Sequence, residues 1–426
     1  DVLTVGGLLR LQVELAGAES CQAICANEVQ RDSEGRLHSV VRPGCDLDLL
    51  RSRPDLMSRH WLVRRQTLVE LGGYSETCAQ ALEFDLLLRL SEQQGIAGMA
   101  HLDEYLVIGE QASEAMSSDA AATLKRHLSV LGYRAQVNVV ADGGFQIDFR
   151  HPATPRVSVL VPAGDDLEQL QACLASIVQR TRYSHYEVIV VADAANAEAI
   201  AAGLGEVQGL GGRVKLIACE QGLAEAAMIN QAAVQAQGEY LVLKSARSQV
   251  VSPAWIEALL NQALRPEVGV VGAQLYDRDG FITHAGYALL ANQQVFAPWL
   301  GASRHYDESA LGLAAARSCQ AVSGDCLMVR KELFDHCQGL EVLEGADVDL
   351  CLKAAEAGLL VVWTPMAQML NAGVPVLAAE HVQVLADRWP SAFGGRAQVD
   401  RHTGVDVSRQ PVSGQPVALE WLAELS

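Results

Sequence analysis

The chain has 426 residues, 50% of them hydrophobic and 19% charged, with 32 Lys+Arg against 51 Asp+Glu. That length corresponds to two or three domains with a real core, which excludes global disorder. A formal charge of −19 excludes a protein that grips nucleic acid or an anionic membrane by bulk electrostatics, so an anionic ligand has to be met by a local basic group.

No stretch reaches the roughly 18 to 20 uninterrupted apolar residues of a bilayer span, and no basic-then-apolar secretory signal opens the sequence. Ten scattered cysteines, several inside apolar runs, read as reduced and packed, as in a soluble cytoplasmic protein. Cys21 and Cys25 are the only close pair and lack a second pair to complete a zinc site. The first residue is Asp1 rather than Met, and the sequence reads as a cut from a longer polypeptide.

Residues 1–115 carry half of an internal repeat. Val63-Arg64-Arg65 with Gly73 recurs as Val329-Arg330-Lys331 with Gly339, at an offset of 266. Glu83-Phe84-Asp85-Leu86 with Arg89 recurs as Asp347-Val348-Asp349-Leu350 with Lys353, at an offset of 264. Only the second copy follows a full run of βα units, so 1–115 is expected to be the rear part of a truncated module. Residues 116–155 are expected to be a connector with one helix, about 119–131.

From 156 to 380 short β-branched runs alternate with amphipathic stretches, the pattern of an α/β, Rossmann-like, mostly parallel sheet. Strands are predicted at 157–162, 187–193, 214–218 and 240–243. Helices are predicted from Leu167 to Val178, over 223–236, and from Ser252-Pro253, with Ser252 as N-cap. The Gly-rich stretch 203–212 lacks dinucleotide-binding spacing and reads as a turn. Residues 381–426 read as a tail with little regular structure, anchored by Trp389 and Trp421.

Ligands of such sheets bind beyond the carboxyl ends of the strands. Those ends carry Pro162, Asp165 and Asp166, then Asp193, then Lys244 and Arg247. Carboxylates there can accept from base or ribose, and Lys or Arg can meet phosphate, although each alone is equally a solvated loop charge. Asp347 and Asp349 open a helix, where the dipole alone favours them; the sharper reading makes one a general base that takes a proton from a sugar hydroxyl.

The segments PRVSVLVP, TRYSHYEVIVV, AAMINQAAVQAQGEYLVL, VSGDCLMVRKELF, DVDLCLKAAEAGLLVVWTP and ADRWP, in this order, resemble bacterial family 2 glycosyltransferases of the GT-A fold, of the multi-module type that builds O-antigen and surface polysaccharide. RDSEGR, LVRRQTLVELGGYSE and EFDLLLRLSE resemble the rear of a preceding module of the same kind. The resemblance implies a nucleotide-sugar donor, a glycan or glycolipid acceptor and an inverting transfer. It assigns the base of the nucleotide to the end of the first strand and to Asp193 or its neighbour Ala192, the donor site to Asn230, the catalytic base to Asp347 with Asp349 beside it, and the acceptor side to Ser323 and Gly324.

The family's metal-binding carboxylates are replaced here by Ser245-Ala246-Arg247, its metal-coordinating His by Asn371, and the acidic residue before the base by Ala346. In the first copy the His position is Ile108, and Asp1 stands as the last remnant of the metal motif. A site without carboxylate or imidazole offers Mg²⁺ or Mn²⁺ too few ligands, so no metal cofactor is expected unless the motif is compensated elsewhere. Two readings stay open: a metal-independent transferase in which Arg247, with Lys244, replaces the cation, or a catalytically inactive module that binds or scaffolds a partner transferase. A peripheral place at the inner membrane is compatible with either. A hydrolase has no support, since no G-x-S-x-G elbow is present.

Overall fold

The computed structural model describes residues 2–42, 44–110, 118–140, 144–206, 211–290, 293–304, 313–341, 344–374 and 377–394. Asp1, Trp421 and part of the Gly-rich stretch lie outside them. The chain divides into two compact units, one built on Asp1–Arg150 and the other on His151–Tyr306 with Ser318–Arg396.

The first unit contains β1 (Val2–Leu3), α1 (Gly7–Gly17), β2 (Ala23–Arg31), β3 (Leu37–Val40), α2 (Leu47–Ser52), β4 (Leu62–Val63), α3 (Arg65–Glu70), α4 (Leu82–Gln94), β5 (Met99–Glu110), α5 (Ser118–Val130), β6 (Gln136–Val139) and β7 (Phe145–Asp148). Its sheet runs β1-β5-β2-β3, with β4 also on β2. The segment 116–155 supplies α5 and the antiparallel β6–β7 pair, and its Leu124, Leu128, Phe145, Ile147 and Phe149 share one core with Leu87, Leu88 and Leu90. Those apolar residues recur at helical spacing in α5 and at alternate positions in β7, so burial rather than linkage accounts for them.

The second unit contains β8 (Val157–Pro162), α6 (Leu167–Arg180), β9 (Tyr186–Asp193), α7 (Ala197–Glu206), β10 (Val214–Cys219), α8 (Glu225–Gln235), β11 (Tyr240–Lys244), β12 (Ser248–Val250), α9 (Trp255–Ala263), β13 (Val268–Tyr276), β14 (Ile282–His284), β15 (Ala288–Leu290), β16 (Gln294–Phe296), β17 (Arg317–Cys319), β18 (Cys326–Arg330), α10 (Lys331–His336), α11 (Ala346–Glu356), β19 (Leu360–Asn371), α12 (Ala379–Arg388) and α13 (Pro390–Gly394). Its sheet runs β10-β9-β8-β11-β18-β13-β19-β12. β10, β9, β8 and β11 are mutually parallel, β18 is antiparallel to both its neighbours, and β13 pairs β19 in parallel. Every residue of β8, β11 and β13 is buried, the near-continuous apolar run of strands covered on both faces. Asp166 caps α6 by accepting from the Gln169 N–H at 3.0 Å.

Three local expectations change. The Gly-rich stretch begins as the end of α7 rather than as a turn. Ser252 caps no helix: its hydroxyl donates to the Met366 carbonyl at 3.3 Å and accepts from the Gln368 N–H at 3.0 Å, so it ties the entry of α9 to β19. The described part of the tail is helical through α12 and α13, because Val382, Leu385, Ala386 and Phe393 are buried.

Candidate active site

Between β8 and β11 the sheet changes its direction of succession, since β9 and β10 lie on one side of β8 and β11 on the other. A cleft of about 980 Å³ opens at the carboxyl ends of those two strands. Pro162, Gly164, Asp165 and Asp166 line it from β8, and Lys244 through Arg247 from β11. Ser323, Gly324 and Asp325 line it from the turn before β18, Asp347 from the start of α11, Glu225 from the start of α8, and Tyr287 from the side.

Asp347 sits in the first turn of α11, whose N-cap Gly345 has φ +86°; a Cβ there would lie 2.7 Å from Leu377 and 2.9 Å from Leu385. The Asp347 carboxylate accepts from the Gly324 N–H at 2.7 Å and from the Val348 N–H at 2.9 Å. Burial nevertheless raises its pKa from the ordinary Asp value, opposed by those two N–H groups and supported by the Asp325 charge. Gly324 thus aims the Asp347 carboxylate. Ser323 beside it donates its N–H to His284 Nε2 at 3.0 Å and accepts at its hydroxyl from the Asp325 N–H at 3.1 Å.

Arg247 faces the cleft with half its side chain exposed, and its Nη2 lies 3.1 Å from Asp325 Oδ1. Asp325 was not singled out from sequence, yet it is almost fully buried and accepts at Oδ2 from Asn371 Nδ2 at 2.9 Å. The signal available was a lone carboxylate interrupting the apolar approach to β18. Glu225 and Tyr287 also escaped notice. Burial in the cleft raises the pKa of both, the Asp325 and Asp347 charges adding to the effect and the Arg247 charge opposing it at Glu225.

Four expected site residues serve elsewhere. Lys244 turns its ammonium inward to the Ser248 carbonyl and hydroxyl, each at 2.5 Å, so it gives the cleft wall but no free cation. Asp193 ties loops together, accepting from the Gly222 and Ala195 N–H groups at 2.8 Å each, and those bonds lower its pKa. Asn230 grips the backbone of Leu340 with both ends of its amide at 2.8 Å. Asp349 is wholly buried behind Asp347, held by Lys353 at 3.1 Å, Arg388 at 3.1 Å and Trp389 Nε1 at 2.8 Å. None of these last three lines the cleft.

The residues at the family's metal positions do not fit a divalent ion. Ser245 Oγ already accepts from the Arg247 backbone N–H at 3.2 Å, Arg247 is cationic, and Asn371 turns its N–H groups, not its oxygen, to Asp325 and Gly373. Among the described residues no group of three or more His, Cys, Asp or Glu side chains is arranged to hold a metal.

The second unit is an α/β sheet in which a carboxylate, Asp347, and a guanidinium, Arg247, line one cleft at the switch point. The chain belongs to the family described as glycosyltransferase-like family 2, whose model matches residues 155–386. With the parallel β10-β9-β8-β11 layer and the antiparallel β18, this is the GT-A fold. The chain is 29% identical over 386 residues to the O-antigen biosynthesis protein RfbC of Myxococcus xanthus, covering 87% of this chain and 30% of that protein. It is 29% identical over 319 residues to the uncharacterized protein y4gI of Sinorhizobium fredii, covering 71% of this chain and 35% of that one. The chain therefore spans about a third of the length of the curated relatives it matches. Among solved structures, the mannosyltransferase PcManGT of Pyrobaculum calidifontis, in complex with GDP-Man and Mn²⁺, aligns at 17% identity and a TM-score of 0.43 over 64% of this chain and 80% of that one. No described helix is long and apolar enough to cross a membrane.

Proposed function

We propose that the second unit transfers a sugar from a nucleoside-diphosphate donor to a glycan or glycolipid hydroxyl, with inversion and without a metal ion, in surface-polysaccharide assembly. The observation that carries this is the pairing, in one cleft, of a base and an electrophile: Asp347 on one wall and Arg247 on the other. The acceptor oxygen attacks the anomeric carbon and gives its proton to an Asp347 oxygen as the new C–O bond forms. The bond to the diphosphate breaks on the opposite face, and the charge left on its oxygens is met by the Arg247 guanidinium. One displacement with no covalent intermediate inverts the anomeric centre.

The donor base and ribose would rest against Pro162 and Asp165 at the end of β8. The first unit supports a companion reading as the rear half of a second module of the same kind, since its strand pairings repeat those of β12, β13, β18 and β19. Ten unbridged cysteines fit work in a reducing compartment, the cytoplasm, with a membrane-bound glycolipid or a partner transferase within reach.

The test is calorimetric titration with UDP, GDP and dTDP, each with and without Mn²⁺, followed by turnover of the matching sugar nucleotides in EDTA. Binding indifferent to Mn²⁺ and turnover that survives EDTA are expected. Asp347→Asn should then lower turnover roughly 10²- to 10⁴-fold with binding preserved. Folded Asp347→Asn with full turnover, or binding only with Mn²⁺, overturns the reading.

A further inference from the structure

The Arg247 charge is not idle. Asp325 reaches it from the turn before β18, where β18 pairs β11 so that Cys326 lies opposite Lys244. The Asp325 backbone is locked there, its carbonyl accepting from the Ser245 N–H at 3.2 Å and from the Ser248 hydroxyl at 2.8 Å. Its carboxylate spans the gap between Arg247 Nη2, at 3.1 Å, and Asn371 Nδ2, at 2.9 Å. The two partners differ in freedom. Asn371 is 2% exposed at the end of β19 and is also tied to the Gly373 carbonyl, whereas the Arg247 side chain is 52% exposed on a long flexible stem.

Charge counting gives this asymmetry a consequence. Of the two cations lining the cleft among the described residues, Lys244 is spent on Ser248 and Arg247 is neutralised by Asp325. Glu225 and Asp347 face the same space, so a diphosphate entering beside an intact Arg247–Asp325 pair meets carboxylates without a free countercharge. A buried carboxylate that keeps one strong donor can release the other, and a phosphate oxygen is a match for the released guanidinium.

We infer that Asp325 is the resident counter-ion of Arg247 and that a diphosphate ligand enters by exchange. Arg247 leaves Asp325 Oδ1 for a phosphate oxygen, while Asn371 keeps Oδ2. The exchange makes Asp325 a specificity-determining residue: a diphosphate carries charge enough to take the guanidinium, and a neutral or weakly charged ligand does not. It also gives Asn371 a purpose at the position where relatives are expected to keep a metal-coordinating His, namely holding Asp325 in place once Arg247 has left. This inference rests on the proposed donor site for where the diphosphate lies.

The experiment is titration of the whole chain with inorganic pyrophosphate and, separately, with UDP. Asp325→Asn should tighten both by about tenfold, the scale of an ordinary coupling between charged sites. Glu225→Gln removes a cleft carboxylate that feels the Arg247 charge without being ion-paired to it, and should tighten them by clearly less, about twofold. In an Arg247→Gln background, Asp325→Asn should give no comparable gain. Asp325→Ser carries the same expectation if the Asn variant fails to fold. Weaker or unchanged binding in folded Asp325→Asn or Asp325→Ser overturns the exchange. Pyrophosphate binding that responds to Asp325 while UDP does not bind keeps the exchange and removes the nucleotide-sugar reading; UDP binding that ignores Asp325 does the reverse.

Discussion

Residues 2–110 of the first unit and the rear half of the second are built alike, and where they part company separates framework from chemistry. In each, a parallel strand pair carries a register shift, β2 with β5 and β13 with β19, and an antiparallel strand lies on the first member of the pair, β4 on β2 and β18 on β13. Gly73 and Gly339 take φ of +75° and +74° at the end of α3 and α10. Each donates its N–H to a carbonyl of the helix behind it, Leu68 or Phe334, at 2.9 Å. Asp85 is bound by Arg89 as Asp349 is by Lys353, at 2.7 and 3.1 Å. Those cations reach the Leu71 and Cys337 carbonyls respectively, at 2.6 and 3.2 Å. The residues facing open space diverge instead. The positions of Asp325 and Asp347 are Arg59 and Glu83 in the first unit, both exposed and lining a pocket of about 390 Å³ with Leu8, Trp61 and Leu86.

The repeat thus assigns Asp349 to the framework, and truncating it is the largest stability effect expected. Asp349→Ala leaves Lys353, Arg388 and Trp389 without their shared carboxylate, and Asp85→Ala strands Arg89 in the same way. Each should cost about 3–5 kcal/mol, as breaking buried ion pairs does. Urea unfolding measures it. An Asp349→Ala protein of full stability but without turnover would return that residue to the chemistry.

Acid separates the units next. His127 on α5 is 1% exposed, accepts from Arg51 Nε at 3.1 Å and lies 2.8 Å from Glu92. Burial and the Arg51 charge push its pKa down from 6.5 to about 4 against the pull of Glu92. The unfolded chain therefore binds this proton at a higher pH than the folded one. The stability is whole above pH 6.5 and is lost as pH falls from there to about 4, to the extent of about 3 kcal/mol. Denaturant unfolding of the first unit at pH 7 and pH 4.5 should show most of that loss, and His127→Gln should flatten it.

Periodicity made the strands and helices of the second unit legible, because Val157–Val161 and Leu167–Ile177 carry their burial in composition and spacing. The repeat was legible too, down to the Asp and the cation four residues on. Asp193, Asn230 and Lys244 spend their polar groups away from the cleft space, which was not legible because sequence gives position on a strand or helix but not the partner a polar side chain finds. Each is consumed by a backbone group or hydroxyl that only the folded chain brings near. Asp325 was overlooked for the mirror reason: its partners Arg247 and Asn371 lie 78 and 46 residues away.

The smallest expected effect tests the comparison most finely. Gly73 and Gly339 share one backbone conformation, yet a Cβ at Gly73 would meet nothing within 4 Å, whereas at Gly339 it would lie 2.4 Å from Asn230 Oδ1. Asn230 belongs to the βα run preceding the second copy, and it uses that same oxygen to accept from the Leu340 N–H. Gly73→Ala should therefore cost only the left-handed strain, about 1 kcal/mol. Gly339→Ala should cost that plus the displacement of a hydrogen-bonded amide, about 1 kcal/mol more. The Gly339→Ala penalty should shrink in an Asn230→Ala background, where the space is vacated, while Gly73→Ala should not respond to Asn230 at all. Equal penalties that ignore Asn230 would mean that the turn alone, and not its grip on the helix beneath, is what the two copies have in common.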